Sequence, residues 1–126
     1  MIRGFRTSAG QAAVFLDRDG TLIEDVGYIA RIDEVAVYQW TARSILAFNR
    51  AGLPVVIVTN QSGVARGYFD EAAVEQVHQH LAKIIEAEGA RIDAFYYCPH
   101  HPDGAVAAYA RPCDCRKPGR GMIDRA

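Results

Sequence analysis

Asp17 and Asp19 stand two residues apart, directly after an apolar run and directly before Gly20. Side chains at i and i+2 lie on the same side of an extended chain, so both acids can face one ligand, and Gly20 lets the backbone turn sharply behind them. One carboxylate of such a pair can attack phosphorus to form an aspartyl-phosphate while the other carries the proton of the leaving oxygen. Crowding two acids together tends to raise one pKa, which suits a proton donor. Asp-x-Asp-Gly is also an ordinary turn after a strand, so the pair needs company before it reads as a site.

Two further stretches supply that company. In Thr59-Asn60-Gln61-Ser62-Gly63 a hydroxyl, an amide and backbone N–H groups freed by glycine can hold phosphate oxygens. Taken alone it equally reads as an Asn/Ser/Gly turn. Arg116-Lys117-Pro118 offers a fixed cation to offset charge on a transferring phosphoryl group, although most Lys and Arg are simply solvated. A separate set, Cys98-Pro99-His100-His101-Pro102 followed by Cys113-Asp114-Cys115, provides two or three thiolates and one imidazole for a tetrahedral Zn²⁺ site. The alternative there is a buried free Cys98 and an unrelated cysteine pair in a loop. His78 and His80 fall on a helical stretch, where solvated side chains are expected.

The elements that must position these residues are readable. Ala12 to Leu16, Pro54 to Val58 and Ile92 to Tyr97 are nearly continuous apolar runs, as expected of parallel strands buried on both faces. Between them, Thr41 reads as the N-cap of a helix carrying Ala42, Ile45 and Leu46, stopped by Gly52 with Pro54 beyond. Asp70 caps a second helix with Val74, Val77, Leu81, Ile84 and Ile85 at helical spacing, ending at Gly89. Alternating strand and helix predict a doubly wound α/β sheet, in which ligands bind beyond the carboxyl ends of the strands. Gly20 to Tyr38 is too polar for a plain crossover and predicts an inserted turn or hairpin over the sheet edge.

Bulk properties narrow the class. The 126 residues, half of them apolar, fit one domain with a single core. A net charge of −1 makes no electrostatic case for nucleic acid or an anionic membrane. No run approaches the roughly 18 apolar residues of a membrane span. Met1 to Gly10 reads as a loose polar lead-in rather than a signal peptide. Three cysteines, an odd number with two almost adjacent, predict a reducing, cytoplasmic setting with thiolates free for metal.

Together the three phosphate-facing stretches resemble the haloacid dehalogenase-like phosphatases, from about Val14 to the end of the chain. The resemblance implies Asp17 as nucleophile, Asp19 as general acid/base, and Thr59 and Lys117 as the phosphate contacts of the second and third motifs. It also implies Mg²⁺ held by Asp17 and the main-chain carbonyl of Asp19, hard oxygen donors suited to that ion. The run Thr59 to Gly67, together with Cys113-Asp114-Cys115-Arg116-Lys117-Pro118, is more narrowly similar to the D-glycero-D-manno-heptose 1,7-bisphosphate phosphatases. That similarity implies removal of the 7-phosphate of a phosphorylated sugar in activated-heptose and lipopolysaccharide precursor synthesis, by a monomer. It further implies a structural Zn²⁺ on Cys98, His100, Cys113 and Cys115, without His101, and help from Arg116 and Asn60 with phosphate. The histidinol-phosphate phosphatases share the Asp-Arg-Asp-Gly-Thr start and a similar zinc loop, but resemble the chain less after Gln61. Polynucleotide 3′-phosphatases share the first two motifs, and the charge and zinc loop speak against them.

One departure bears on activity. Members of the resembled family continue through a helix and strand to an acidic motif that completes the Mg²⁺ site. Here the sheet is expected to be incomplete at the C-terminus, with Asp124 the sole acid after Lys117. The expectations are therefore an enzyme poorly active at this length or, from another class, a zinc-stabilised module that binds phosphate without turnover. Gln39-Trp40-Thr41 also replaces the family's usual Pro-Gly turn.

Overall fold

The computed structural model describes residues 10–126, so the lead-in expected at Met1–Gly10 lies, apart from Gly10, outside the described residues. Strands β1 (Val14–Leu16), β2 (Val55–Asn60) and β3 (Ala94–Cys98) form one parallel sheet with β2 in the centre. Val14 pairs with Val55, and the β2–β3 register runs from Val56 against Ala94 to Asn60 against Cys98. That register places the residues just after Leu16, the end of β2 and the end of β3 along one rim. Each strand starts one or two residues later than its apolar run: Ala12 and Ile92 stand outside the ladder and Pro54 contributes only its carbonyl, which accepts the Val14 N–H at 2.8 Å; β2 and β3 also run on to Asn60 and Cys98.

Helices α1 (Thr41–Arg50), α2 (Glu71–Ala87) and the short α3 (Gly121–Arg125) complete the α/β architecture. Alternation along β2 divides the core. Val55 and Ile57, with Phe95 of β3, face Ile45 of α1, Val77, Leu81 and Ile85 of α2, and Leu22, Ile23 and Ile29 of the segment between β1 and α1. Val56, Val58 and Ala94 face the other way, against Met122 of α3 and Cys98 and Cys115. Each fully buried aliphatic side chain here contributes roughly 1.5–3 kcal/mol of transfer free energy.

Asp70 caps α2 as expected, its Oδ1 accepting from the Ala73 N–H at 2.9 Å. Thr41 does not cap α1. It is the first helical residue, with Trp40 at the cap position, and its buried hydroxyl donates instead to the Leu22 carbonyl at 2.6 Å. That bond ties α1 to the inserted segment, which bridges antiparallel between Ile23 and Val37 and contains a single 3-10 turn at Ile32–Glu34. The segment is thus hairpin-like, as its composition indicates. Trp40 stacks on Tyr38, with ring centroids 4.6 Å apart.

Candidate active site and metal centre

The chain leaves β1 through a tight turn. Gly20 takes φ of +80°, its N–H donates to the Ile23 carbonyl at 2.8 Å, and the Leu22 N–H donates to the Arg18 carbonyl at 2.9 Å. Asp17 stays half open to solvent at this turn, and Lys117 reaches it with Nζ 2.7 Å from Oδ1. The two residues are 100 positions apart in the chain, so the third motif is delivered to the first by the fold.

Delivery depends on β2. Asn60 accepts from the Lys117 N–H through Oδ1 at 2.8 Å and donates from Nδ2 to the Lys117 carbonyl at 3.2 Å. Gln61 then spans the other side of the site, its Nε2 donating to Thr59 Oγ1 at 2.9 Å and to Asp19 Oδ2 at 3.1 Å. Because Thr59 Oγ1 accepts from Gln61, its own hydroxyl proton is left to donate to a ligand. Asp19 is also gripped by the preceding residue: Arg18 Nη2 lies 3.0 Å from Oδ1 and Nε 3.2 Å from Oδ2. Arg116 is half-buried beside Lys117.

Arg18, Gln61 and His78 were not assigned roles from sequence. The first two sit inside the motifs, and only geometry shows what they touch. His78 overturns the expectation of a solvated side chain. It is buried, stacks on Phe95 at 4.5 Å and 14°, and approaches Arg18 Nη1 with Nε2 at 3.0 Å. A signal was present, since Val74, His78, Leu81 and Ile85 share one stripe of α2. Burial, then the Arg18 charge, holds His78 well below the ordinary imidazole range, so it is neutral.

The thiol cluster assembles on the opposite side of the β3 end. Cys98 Sγ is 3.3 Å from Cys113 Sγ, which is 3.3 Å from Cys115 Sγ, and His100 Nδ1 is 3.3 Å from Cys115 and 3.8 Å from Cys98. The four ligand atoms all lie within 4.8 Å of one another. A tetrahedron with metal–sulfur bonds of about 2.3 Å has edges near 3.7 Å, so the donor set fits Zn²⁺ in both chemistry and size. Burial, then contact with Cys115, pushes the Cys98 thiol far up, a cost that a bound cation reverses. His101 turns away and receives the Asp103 N–H on Nδ1 at 3.0 Å. The loop is tied down by Glu71 at the start of α2, which accepts from Tyr97 at 2.8 Å and from Tyr109 at 2.7 Å. Burial, then this carboxylate, raises the Tyr97 phenol. Asp124, the acid beyond Lys117, is paired with Arg120 on the surface of α3.

A parallel sheet with Asp17 and Asp19 just beyond its first strand, and Thr59 and Lys117 carried to the same rim, has the fold of haloacid dehalogenase-like phosphatases. The family model described as polynucleotide kinase 3 phosphatase matches residues 12–126, and the chain belongs to that family. It is 43% identical over 114 residues to the D-glycero-beta-D-manno-heptose-1,7-bisphosphate 7-phosphatase of Photorhabdus laumondii, over 90% of this chain and 61% of that protein. It is 41% identical over 111 residues to the Escherichia coli K12 protein of the same name, over 88% of this chain and 58% of that one. Among solved structures, a HAD-like phosphatase from Mesorhizobium loti superposes with a TM-score of 0.86 at 37% identity, over 91% of this chain and 55% of that one. The D,D-heptose 1,7-bisphosphate phosphatase of B. bronchiseptica, complexed with magnesium and phosphate, gives 0.78 at 34%, over 91% and 61%. The chain therefore spans about three fifths of the length of these relatives. Among the described residues, no helix is long and apolar enough to cross a membrane.

Proposed function

We propose that the chain carries the nucleophile half of a phosphomonoesterase acting through an aspartyl-phosphate, with D-glycero-D-manno-heptose 1,7-bisphosphate as substrate and the 7-phosphate as the group removed. The carrying observation is Lys117 Nζ at 2.7 Å from Asp17 Oδ1, a fixed cation beside a half-open carboxylate at the sheet rim. A carboxylate oxygen of Asp17 attacks phosphorus as the ester P–O bond breaks, and Asp19 gives its proton to the departing alkoxide. Water then attacks phosphorus of the acyl phosphate, Asp19 takes its proton, and inorganic phosphate and free Asp17 return. The Thr59 hydroxyl and Lys117 hold phosphoryl oxygens through both steps, Arg116 adds charge, and Asn60 serves by fixing the Lys117 backbone. The Asp17 carboxylate and the Asp19 carbonyl suit Mg²⁺, which when bound supplies further charge neutralisation at the phosphoryl oxygens. The substrate reading is supported by the names of the relatives and by the resemblance of the stretch from Ser62 to Gly67.

The test is a substrate panel with the purified chain, comparing heptose 1,7-bisphosphate, histidinol phosphate and a 3′-phosphorylated oligonucleotide, with and without Mg²⁺. Preference for the heptose, with a base-labile phosphoryl label on Asp17, is the expected outcome. Preference for histidinol phosphate or the oligonucleotide reassigns the substrate and leaves the chemistry standing. Phosphate binding without turnover makes the chain a binding module.

A further inference from the structure

Arg18 is 1% exposed and lies between the two aspartates in sequence. A buried guanidinium needs acceptors, and here each of its three nitrogens meets one. Nε and Nη2 form a fork on the Asp19 carboxylate, while Nη1 meets His78 Nε2 at 3.0 Å. Arginine can only donate, so Nε2 must accept, and neutral His78 carries its proton on Nδ1. Among the described residues that buried Nδ1 has no hydrogen-bond partner. The ring is nevertheless held by its stack on Phe95 and by the edge of Tyr97, 5.9 Å away between centroids. An orphaned buried donor is unfavourable, and the contact of Nε2 with Arg18 sets against that loss.

We propose that His78 is a positioning residue for proton transfer: by accepting from Arg18 it fixes the guanidinium fork that aims the Asp19 carboxylate. The proposal rests on the reading of Asp19 as the proton carrier given above. His78 touches neither substrate nor Asp19. Its effect passes through Arg18, with Gln61 steadying Asp19 Oδ2 from the other side.

The experiment pairs a spectroscopic arm with a kinetic arm on the full chain and two variants. His78→Phe keeps the ring stacked on Phe95 but removes the acceptor, and His78→Gln restores an acceptor oxygen at similar reach. In the wild-type chain, long-range proton–nitrogen NMR should show His78 Nε2 unprotonated and Nδ1 protonated, with Arg18 guanidinium protons exchanging slowly. Those Arg18 protons should exchange fast in His78→Phe and slow again in His78→Gln. In the kinetic arm, His78→Phe should lower the single-turnover rate at which glycerol phosphate, whose alkoxide must be protonated, phosphorylates Asp17, by about tenfold or more. It should change the same single-turnover rate with p-nitrophenyl phosphate, whose phenolate leaves unaided, by less than about threefold. KM for both should hold, and His78→Gln should recover the glycerol phosphate rate. A protonated Nε2, Arg18 exchange indifferent to His78→Phe, or equal kinetic loss on both esters overturns the proposal. A wild-type chain that turns over neither ester counts against the proposed function, and the NMR arm still decides the positioning role.

Discussion

Asn60 holds the main chain of Lys117 at both its N–H and its carbonyl, with bonds of 2.8 and 3.2 Å. The last residue of the central strand therefore sets where the cation of a distant loop stands. Asn60→Ala should leave Lys117 present but misplaced. We expect kcat to fall by about tenfold to a hundredfold, as for misplacements of about 1 Å. Steady-state assays beside thermal melts check this, and a melt shifted as much as the rate would indicate a merely structural role.

Lys117→Met removes the charge that faces Asp17. Loss of one such electrostatic contact should lower kcat by about 10²–10³-fold. Both partners are substantially exposed, so stability should change by less than about 1 kcal/mol. A rate within threefold of wild type would remove Lys117 from the phosphate site.

Metal analysis of the purified chain should find zinc at about one per chain. Stripping it with a chelator, or replacing Cys98 with Ser, should lower the melting temperature by about 10 °C or more, because binding energy at such a cluster is folding energy. Zinc-free protein that melts unchanged would leave the four ligands as a reduced thiol cluster with no metal role.

Neutral, buried His78 makes an acid-side prediction whose sign is fixed. Its folded pKa lies below the unfolded value of about 6.5, so the unfolded chain takes up the proton first. Stability is full above about pH 6.5 and is lost as pH falls below it, at up to about 1.4 kcal/mol per pH unit. Urea unfolding of wild type and His78→Gln between pH 7.5 and 5.5 checks this. The wild type should show the steeper loss, and equal slopes would mean that His78 is already charged or exposed.

The ligand geometry was more legible than the contacts that support it. Continuous apolar runs located all three strands, because a parallel strand buried on both faces has no polar alternation to disguise it. Asp17 and Asp19, Thr59, and the set Cys98, His100, Cys113 and Cys115 are short-range patterns at or beyond the strand ends, while Lys117 is held near Asp17 through Asn60. Thr41 was misread because its hydroxyl looks like a cap locally and found a carbonyl 19 residues away instead. Asn60 and Gln61 were visible as polar residues, but which partner each takes depends on two loops meeting. The stripe of α2 marks His78 as buried, but its contact with Arg18, 60 residues away in the chain, is visible only in the fold.

Cys98 ends β3 facing two ways. Its thiol joins the Cys/His cluster while its carbonyl accepts the Gln61 N–H at 2.8 Å, and Gln61 in turn touches Asp19. One residue therefore separates the sulfur atoms from the contacts of Asp19. A disturbance of the Cys/His cluster would therefore reach Asp19 through a single backbone carbonyl, that of Cys98.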